Sequence, residues 1–153
     1  MKDRPSFIEE NSTLPQVNCL PHVSGHHWLL DLTHCQADKA LLEQAGALEI
    51  ILPAAATAAG MHVVGQVFHQ FQPCGVTGAV ILSESHLTVH TWPESSFVAL
   101  DVYVCDFNES NQRKGELLAQ AMITLFQPLR CNSQTVQRTS IFSISTTERQ
   151  LSQ

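Results

Sequence analysis

Three consecutive segments in the middle of the chain are dense in β-branched and aromatic residues, which are enriched in β-strands. They cover residues 78–82, 86–92 and 97–105. Further strands are predicted over residues 26–32, 61–71 and 135–144. The strand at 61–71 has Val63 and Val67 on one face and Val64 and Phe68 on the other. Apolar residues on both faces predict a strand that is covered on both sides.

Two segments have the composition of helices. Residues 37–59 are rich in Ala and Leu, and Gly60 provides a helix stop. Pro53 is expected either to kink this helix or to start a second one. Residues 115–126 have the pattern of an amphipathic helix. The resulting order β-α-β-β-β-β-α-β predicts an α+β fold, a two-layer sandwich of a mainly antiparallel sheet with helices on one face.

The length of 153 residues fits one domain. Residues 1–24 are polar and interrupted by prolines, so they are predicted to form an N-terminal extension. Residues 25–145 are predicted to form the folded domain. Residues 146–153 are polar and are predicted to be a loose tail.

Composition excludes several classes of function. The net charge is −6 and the eight Lys and Arg are dispersed, which argues against nucleic-acid binding. The apolar stretch 45–64 is interrupted by charge, proline and glycine, and residues 1–11 lack the apolar core of a signal peptide, so neither a membrane span nor a leader is expected. Five cysteines without a close CxxC pair argue against a disulfide framework and a Cys-rich zinc site. No acidic cluster near the central strands suggests a metal site. The expectation is a cytoplasmic, metal-independent protein.

The residues best suited to chemistry lie in the segment 83–94, Ser-Glu-Ser-His-Leu-Thr-Val-His-Thr-Trp-Pro-Glu. Strand alternation places His86, Thr88, His90 and Trp92 on one face, opposite an apolar face. In the next strand Asp101 and Cys105 share a face, again opposite apolar residues. Two adjacent strands of this kind are suited to line a pocket. The alternative is structural, because a strand histidine is more often structural than catalytic and a strand cysteine is usually a small buried hydrophobe.

This segment resembles the processing site of the prokaryotic S-adenosylmethionine decarboxylase proenzymes, in which Glu-Ser-His is followed by His-Thr-Trp-Pro-Glu. Further matches follow the family's order over residues 25–128, most of the chain. They are Gly25-His26-His27, Leu29-Leu30-Asp31-Leu32, Cys35, Phe68-His69 with Phe71, and Gly75-Val76-Thr77-Gly78. A long match with several rare residue types is far more specific than a short glycine motif.

The resemblance implies a self-processing enzyme. Ser85 would attack the carbonyl of Glu84 to give an ester, and elimination and hydrolysis would leave a pyruvoyl group where Ser85 stood. The β chain would end at Glu84 and the α chain would begin at residue 85. His90 matches the family's processing histidine, a base suited to neutral pH. Cys105 matches the general acid that returns a proton after the pyruvoyl group, through a Schiff base, has accepted the electrons left by CO₂.

The resemblance also implies the substrate, S-adenosylmethionine, and a product that serves spermidine and other polyamine synthesis. Glu94 resembles the acceptor of the ribose hydroxyls, and Phe71 resembles an aromatic that stacks on adenine, in one interpretation from a partner subunit of a homo-oligomer. For Phe71 the alternative is core packing, and Trp92 is either a ligand contact or a wall of the core. Thr77 stands where the family often has a serine associated with processing.

The departures from the family pattern concern mainly the substrate side. Cys74 replaces a common Gln or Tyr, His34 replaces Gly, and residues 95–97 are Ser-Ser-Phe where the family has aromatic-Gly-aromatic. They leave open a pyruvoyl-dependent arginine or ornithine decarboxylase on the same scaffold. A third hypothesis is a non-catalytic homologue, against which the intact cleavage site, His90 and Cys105 argue.

Overall fold

Six strands and three α-helices make up the part of the chain that the computed structural model describes, residues 24–106 and 110–139. Most of the predicted N-terminal extension and the whole predicted tail lie outside these residues. The elements in chain order are β1 (Ser24–Cys35), α1 (Lys39–Glu43), α2 (Ala45–Ala58), β2 (Val63–Gln70), β3 (Val76–Leu82), β4 (Ser85–Trp92), a 3₁₀ turn (Pro93–Ser95), β5 (Phe97–Asp106), α3 (Gln112–Phe126) and β6 (Pro128–Thr139).

All six strands form one antiparallel sheet in the order β2-β3-β4-β5-β1-β6. The predicted α+β sandwich is therefore confirmed. The three central strands lie where the sequence predicts them, to within a few residues. The last strand begins at Pro128 rather than at residue 135, directly after α3.

One face of the sheet forms the core with the helices. Alternate residues of β4 and β5 are buried there, among them Leu87, Val89, Val98 and Leu100. Helices α2 and α3 cover them with Leu48, Leu52, Leu118 and Met122, all fully buried. Gly115 allows α3 to approach the sheet, because a Cβ atom at this position would overlap the Trp28 ring. Burying a side chain of this size contributes about 1.5–3 kcal/mol.

The predicted helix 37–59 is divided at Gln44 and not at Pro53. Gln44 is extended, with φ −123° and ψ 122°, and the Gln70 side-chain oxygen accepts from the Ala45 N–H at 2.7 Å. Pro53 lies inside α2 and cannot donate to the carbonyl of Glu49. The Gln66 amide donates to that carbonyl instead, at 3.3 Å, which removes much of the cost of the proline.

The prediction that residues 61–71 are covered on both sides is wrong. The strand β2 is an edge strand, and the side chains of Val64 and Val67 are 57% and 65% exposed. Apolar residues on both faces of a strand do not show whether other elements cover both faces.

No helix among the described residues is long and apolar enough to cross a membrane.

The second face of the sheet, called here the open face, lies opposite the helices. It contains the residues of β4 and β5 that alternate with the core residues, and no described element covers it. Large apolar side chains are exposed on it in four strands: Val67, Ile81, Trp92 and Val136. Such exposed apolar area on a sheet face is typical of an interaction surface.

Candidate active site

The Glu84–Ser85 peptide lies at the start of β4, beside the end of β5. The Glu84 carbonyl oxygen accepts two hydrogen bonds from one residue, from the Cys105 N–H at 2.9 Å and from the Cys105 Sγ at 3.0 Å. Ser85 has a φ of 152°, a backbone conformation that L-residues rarely adopt. A carbonyl held by two donors thus precedes a strained serine. Glu84, Ser85 and Cys105 are called here the Ser85 half-site.

The Glu84 side chain anchors the same peptide from the other direction. Its Oε2 accepts from the Ser83 hydroxyl at 2.9 Å and from the His62 N–H at 3.3 Å. Burial raises the pKa of Glu84, but these hydrogen bonds and the charge of Lys114 outweigh burial and lower the pKa below its usual value. The carboxylate is therefore ionised at neutral pH, and it ties the Glu84–Ser85 segment to His62, just before β2.

A second group of predicted residues meets at the opposite end of β4. The Thr77 hydroxyl and His90 Nδ1 are hydrogen-bonded at 2.7 Å across the β3–β4 pair. They border a cavity of about 350 Å³, whose lining residues are Phe71, Cys74, Val76, Thr77, His90, Thr91, Trp92 and Glu94. Five predicted site residues, Phe71, Thr77, His90, Trp92 and Glu94, are therefore brought together. Thr77, His90 and this cavity are called the His90 half-site.

The two half-sites are far apart within one protomer. Ser85 and His90 are five residues apart on one extended strand, which corresponds to about 17 Å at about 3.3 Å per residue. The register agrees, because Ser85 pairs with Val104 and His90 pairs with Ala99, near opposite ends of β5. The expectation of one pocket lined by adjacent strands must therefore be corrected: within the chain, the Ser85 half-site and the His90 half-site lie at opposite ends of β4. An extended strand separates its residues in proportion to their distance in sequence.

Between the half-sites, the open face holds an aromatic and ionisable cluster. The rings of His27, His86 and Tyr103 are in mutual contact, with centroids 5.5 to 6.2 Å apart. The Asp101 carboxylate lies 3.7 Å from His27 Nε2. Burial is the main cause that lowers the pKa of His86, and the charge of His27 adds to it. This cluster places ionisable groups in the middle of the open face, with the exposed Ile81 and Val136 in register beside His86 and His27.

Sequence reasoning missed the residues behind Cys105. The Asn111 side-chain amide donates to the Cys105 carbonyl at 2.9 Å. Asp106, next to Cys105, accepts from the Asn111 N–H at 2.7 Å and from the Ser24 hydroxyl at 2.9 Å. Within residues 24–106 and 110–139, no group of three or more His, Cys, Asp or Glu side chains is arranged to hold a metal ion.

Comparisons with known proteins identify the family to which this sequence and fold are similar. A family model described as S-adenosylmethionine decarboxylase matches residues 26–139. An S-adenosylmethionine decarboxylase proenzyme of Thermodesulfovibrio yellowstonii is 38% identical over 103 residues, 67% of this chain and 72% of that protein. A proenzyme of the same name from Prochlorococcus marinus is 39% identical over 98 residues, 64% of this chain and 77% of that protein. The crystal structure of the adenosylmethionine decarboxylase from Aquifex aeolicus superimposes with a TM-score of 0.68 at 30% identity, covering 81% of this chain and 97% of that one.

Proposed function

The chain belongs to the S-adenosylmethionine decarboxylase family and is a lyase of that activity; we propose that it is made as a proenzyme that cleaves itself between Glu84 and Ser85. The observation that carries this proposal is the Glu84 carbonyl, which is held by two Cys105 donors next to a strained Ser85. A pyruvoyl group formed from Ser85 fits these residues. The serine supplies the three carbons, and the flanking carbonyl is already polarised.

The first step is attack of the Ser85 hydroxyl oxygen on the Glu84 carbonyl carbon. The C–N bond breaks, an ester bond forms, and the hydroxyl proton passes to the released nitrogen. Negative charge develops on the Glu84 oxygen, where the N–H and thiol of Cys105 converge. Donors aimed at a developing oxyanion lower the barrier most when they are already in place. Breaking the peptide also releases the backbone strain at Ser85.

The second step needs a base. Loss of the Ser85 Cα proton expels the Glu84 carboxylate, and hydrolysis of the resulting dehydroalanine releases ammonia and leaves the pyruvoyl carbonyl. We assign the base to His90, whose hydrogen bond to Thr77 fixes the imidazole. During turnover the pyruvoyl carbonyl supplies an electron sink for decarboxylation. We assign the return of a proton to the substrate carbon to the Cys105 thiol.

A base about 17 Å from its target cannot act within one protomer. We therefore propose a homo-oligomer of processed αβ units in which two open faces meet. A two-fold axis across the middle of β4 exchanges the two ends of the strand, so the Ser85 half-site of one copy meets the His90 half-site of the other. The exposed Val67, Ile81 and Val136 of the open face support burial against a second copy.

The cavity beside His90 suits a nucleoside. Phe71 and Trp92 present aromatic faces, 47% and 41% exposed, and Glu94 offers a carboxylate at the rim. We propose that Phe71 stacks on adenine and that Glu94 accepts from the ribose hydroxyls, with Trp92 as a wall. An aromatic face also attracts a sulfonium cation. The product would supply aminopropyl groups for spermidine synthesis.

We place the enzyme in the cytoplasm. The four described cysteines Cys35, Cys74, Cys105 and Cys131 are all free thiols, as expected in a reducing compartment. A reducing environment also protects Cys105, which must remain a thiol for both proposed roles.

Glu94→Gln is expected to weaken use of S-adenosylmethionine by about ten- to a hundred-fold, mainly through KM. A hydrogen bond to a charged group contributes about 1.5–3 kcal/mol, and about 1.4 kcal/mol is a factor of ten. The measurement is CO₂ release by processed enzyme with S-adenosylmethionine, arginine and ornithine at equal concentration. Glu49→Gln, on the exposed side of α2, is the matched control. If the wild type turns over arginine or ornithine faster than S-adenosylmethionine, that amino acid is the substrate and S-adenosylmethionine is not.

Cys105→Ala is expected to process slowly and to lose turnover. The variant keeps the backbone donor to the Glu84 oxygen and loses the thiol donor, a change typically worth about a hundred-fold. Turnover loses its proton donor as well, so kcat should fall further than the cleavage rate. Mass spectrometry follows cleavage and CO₂ release follows turnover, with the exposed Cys131→Ala as control. Normal decarboxylation by the Cys105 variant would refute the assignment.

A further inference from the structure

We infer that Asn111 is a positioning residue that holds the Cys105 peptide against the Glu84 carbonyl, both for cleavage and for turnover. This inference rests on the proposed function. It concerns a residue outside the motif segment, in the connection between β5 and α3.

The end of the β4–β5 ladder requires such a residue. The last paired residues are Ser85 and Val104, and Glu84 lies in the turn before β4. The next pairing is one-sided: the Cys105 N–H donates to the Glu84 oxygen at 2.9 Å, while the Cys105 carbonyl accepts from the Asn111 side-chain amide at 2.9 Å. Asn111 thus takes the place of a ladder partner. Its amide group holds the peptide that follows Cys105 and the Glu84 carbonyl holds the peptide that precedes it, so the Cys105 backbone is fixed from both sides.

Asn111 is itself held rigidly. It is 4% exposed, and its N–H donates to Asp106 Oδ1 at 2.7 Å. The other Asp106 oxygen accepts from the Ser24 hydroxyl of β1 at 2.9 Å. Two strands and the start of α3 are therefore joined behind Cys105. A side chain locked in this way can position a reacting group to within a fraction of an ångström.

The hydrogen bond that the Asn111 side chain makes distinguishes this role from helix capping. Asn111 stands at the N-cap of α3, where an asparagine normally accepts from a backbone N–H of the first turn. Asn111 makes no side-chain cap bond, and its amide is directed to Cys105 instead. The Asn111 side chain therefore hydrogen-bonds to Cys105 and does not cap its own helix.

Two substitutions separate positioning from a structural role. Asn111→Asp keeps the size and is as good an N-cap, but it places a second carboxylate beside Asp106; in a variant whose unfolding temperature matches the wild type, a purely structural role predicts wild-type rates. Positioning predicts the reverse, because a carboxylate offers an acceptor to the Cys105 carbonyl. Asn111→Ala leaves space for a water molecule, which can donate in place of the amide. The expected order of cleavage rates is wild type, then Ala, then Asp.

The experiment measures cleavage of freshly refolded full-length chains by mass spectrometry, followed by kcat and KM of the processed enzymes. Both variants should slow cleavage by about ten- to a hundred-fold, since a misplacement on the order of 1 Å can cost about a hundred-fold. In the processed enzymes kcat should fall while KM stays within about two-fold, because Cys105 acts in the chemical step. Gln112→Ala is the matched control, because its side chain is exposed and donates to the exposed Glu116.

Wild-type cleavage and kcat in Asn111→Asp would overturn the inference while the proposed function stands. A wild type that never cleaves would instead remove the proposed function itself. If neither Asn111 variant folds, by circular dichroism and thermal unfolding, Asp106→Ala decides, because it releases the Asn111 N–H without touching the Cys105 carbonyl. Slower cleavage in Asp106→Ala supports the inference, and an unchanged rate overturns it.

Discussion

Co-expression of Ser85→Ala chains with His90→Ala chains is expected to restore cleavage that neither variant shows alone. In a mixed pair, one composite site combines the intact Ser85 of the His90→Ala chain with the intact His90 of the Ser85→Ala chain. The other site carries both defects. Only the His90→Ala chain should therefore be cut. With equal expression and random pairing, about half of the His90→Ala chains should be processed.

Intact-mass analysis identifies which chain is cut, because the two variants differ in mass. The control is separate expression followed by mixing after denaturation, which should give the same result once the chains refold together. If cleavage is absent in every mixture while the wild type cleaves, the two-copy site is wrong. His90 would then have to act within its own chain, across a distance that the β4 strand does not allow.

The central strands could be predicted from sequence because each has one buried face and one different face. One face of residues 86–92 and 97–105 is mainly apolar, with Leu87 and Val89 in the first segment and Val98, Leu100, Val102 and Val104 in the second, and the structure places β4 and β5 there. The start of β6 could not be predicted. Residues 129–134 are exposed on both faces of an edge strand, so no alternation marks them. The break at Gln44 was also hidden, because it depends on Gln70 from a distant strand.

The site was predictable as a set of residues but not as an arrangement. The resemblance singled out Ser85, His90 and Cys105, and the structure puts Cys105 in contact with the Glu84 carbonyl. Ser85 and His90 are separated because they lie five residues apart on an extended strand. This distance could be calculated only after the structure placed both residues on the same strand, β4. Asn111 carried no sequence signal, because a polar residue before a helix is ordinarily a cap.

The most direct test of the account is the intact mass of the purified wild-type and Ser85→Ala chains under denaturing conditions. The wild type is expected to give two species, residues 1–84 ending at Glu84 and residues 85–153 with a blocked N-terminus, because its terminal amine has become a ketone. Ser85→Ala lacks the attacking hydroxyl and should remain a single chain of 153 residues. A wild-type chain that stays whole after long incubation, or a Ser85→Ala chain that is cut at the same bond, would contradict self-cleavage by Ser85.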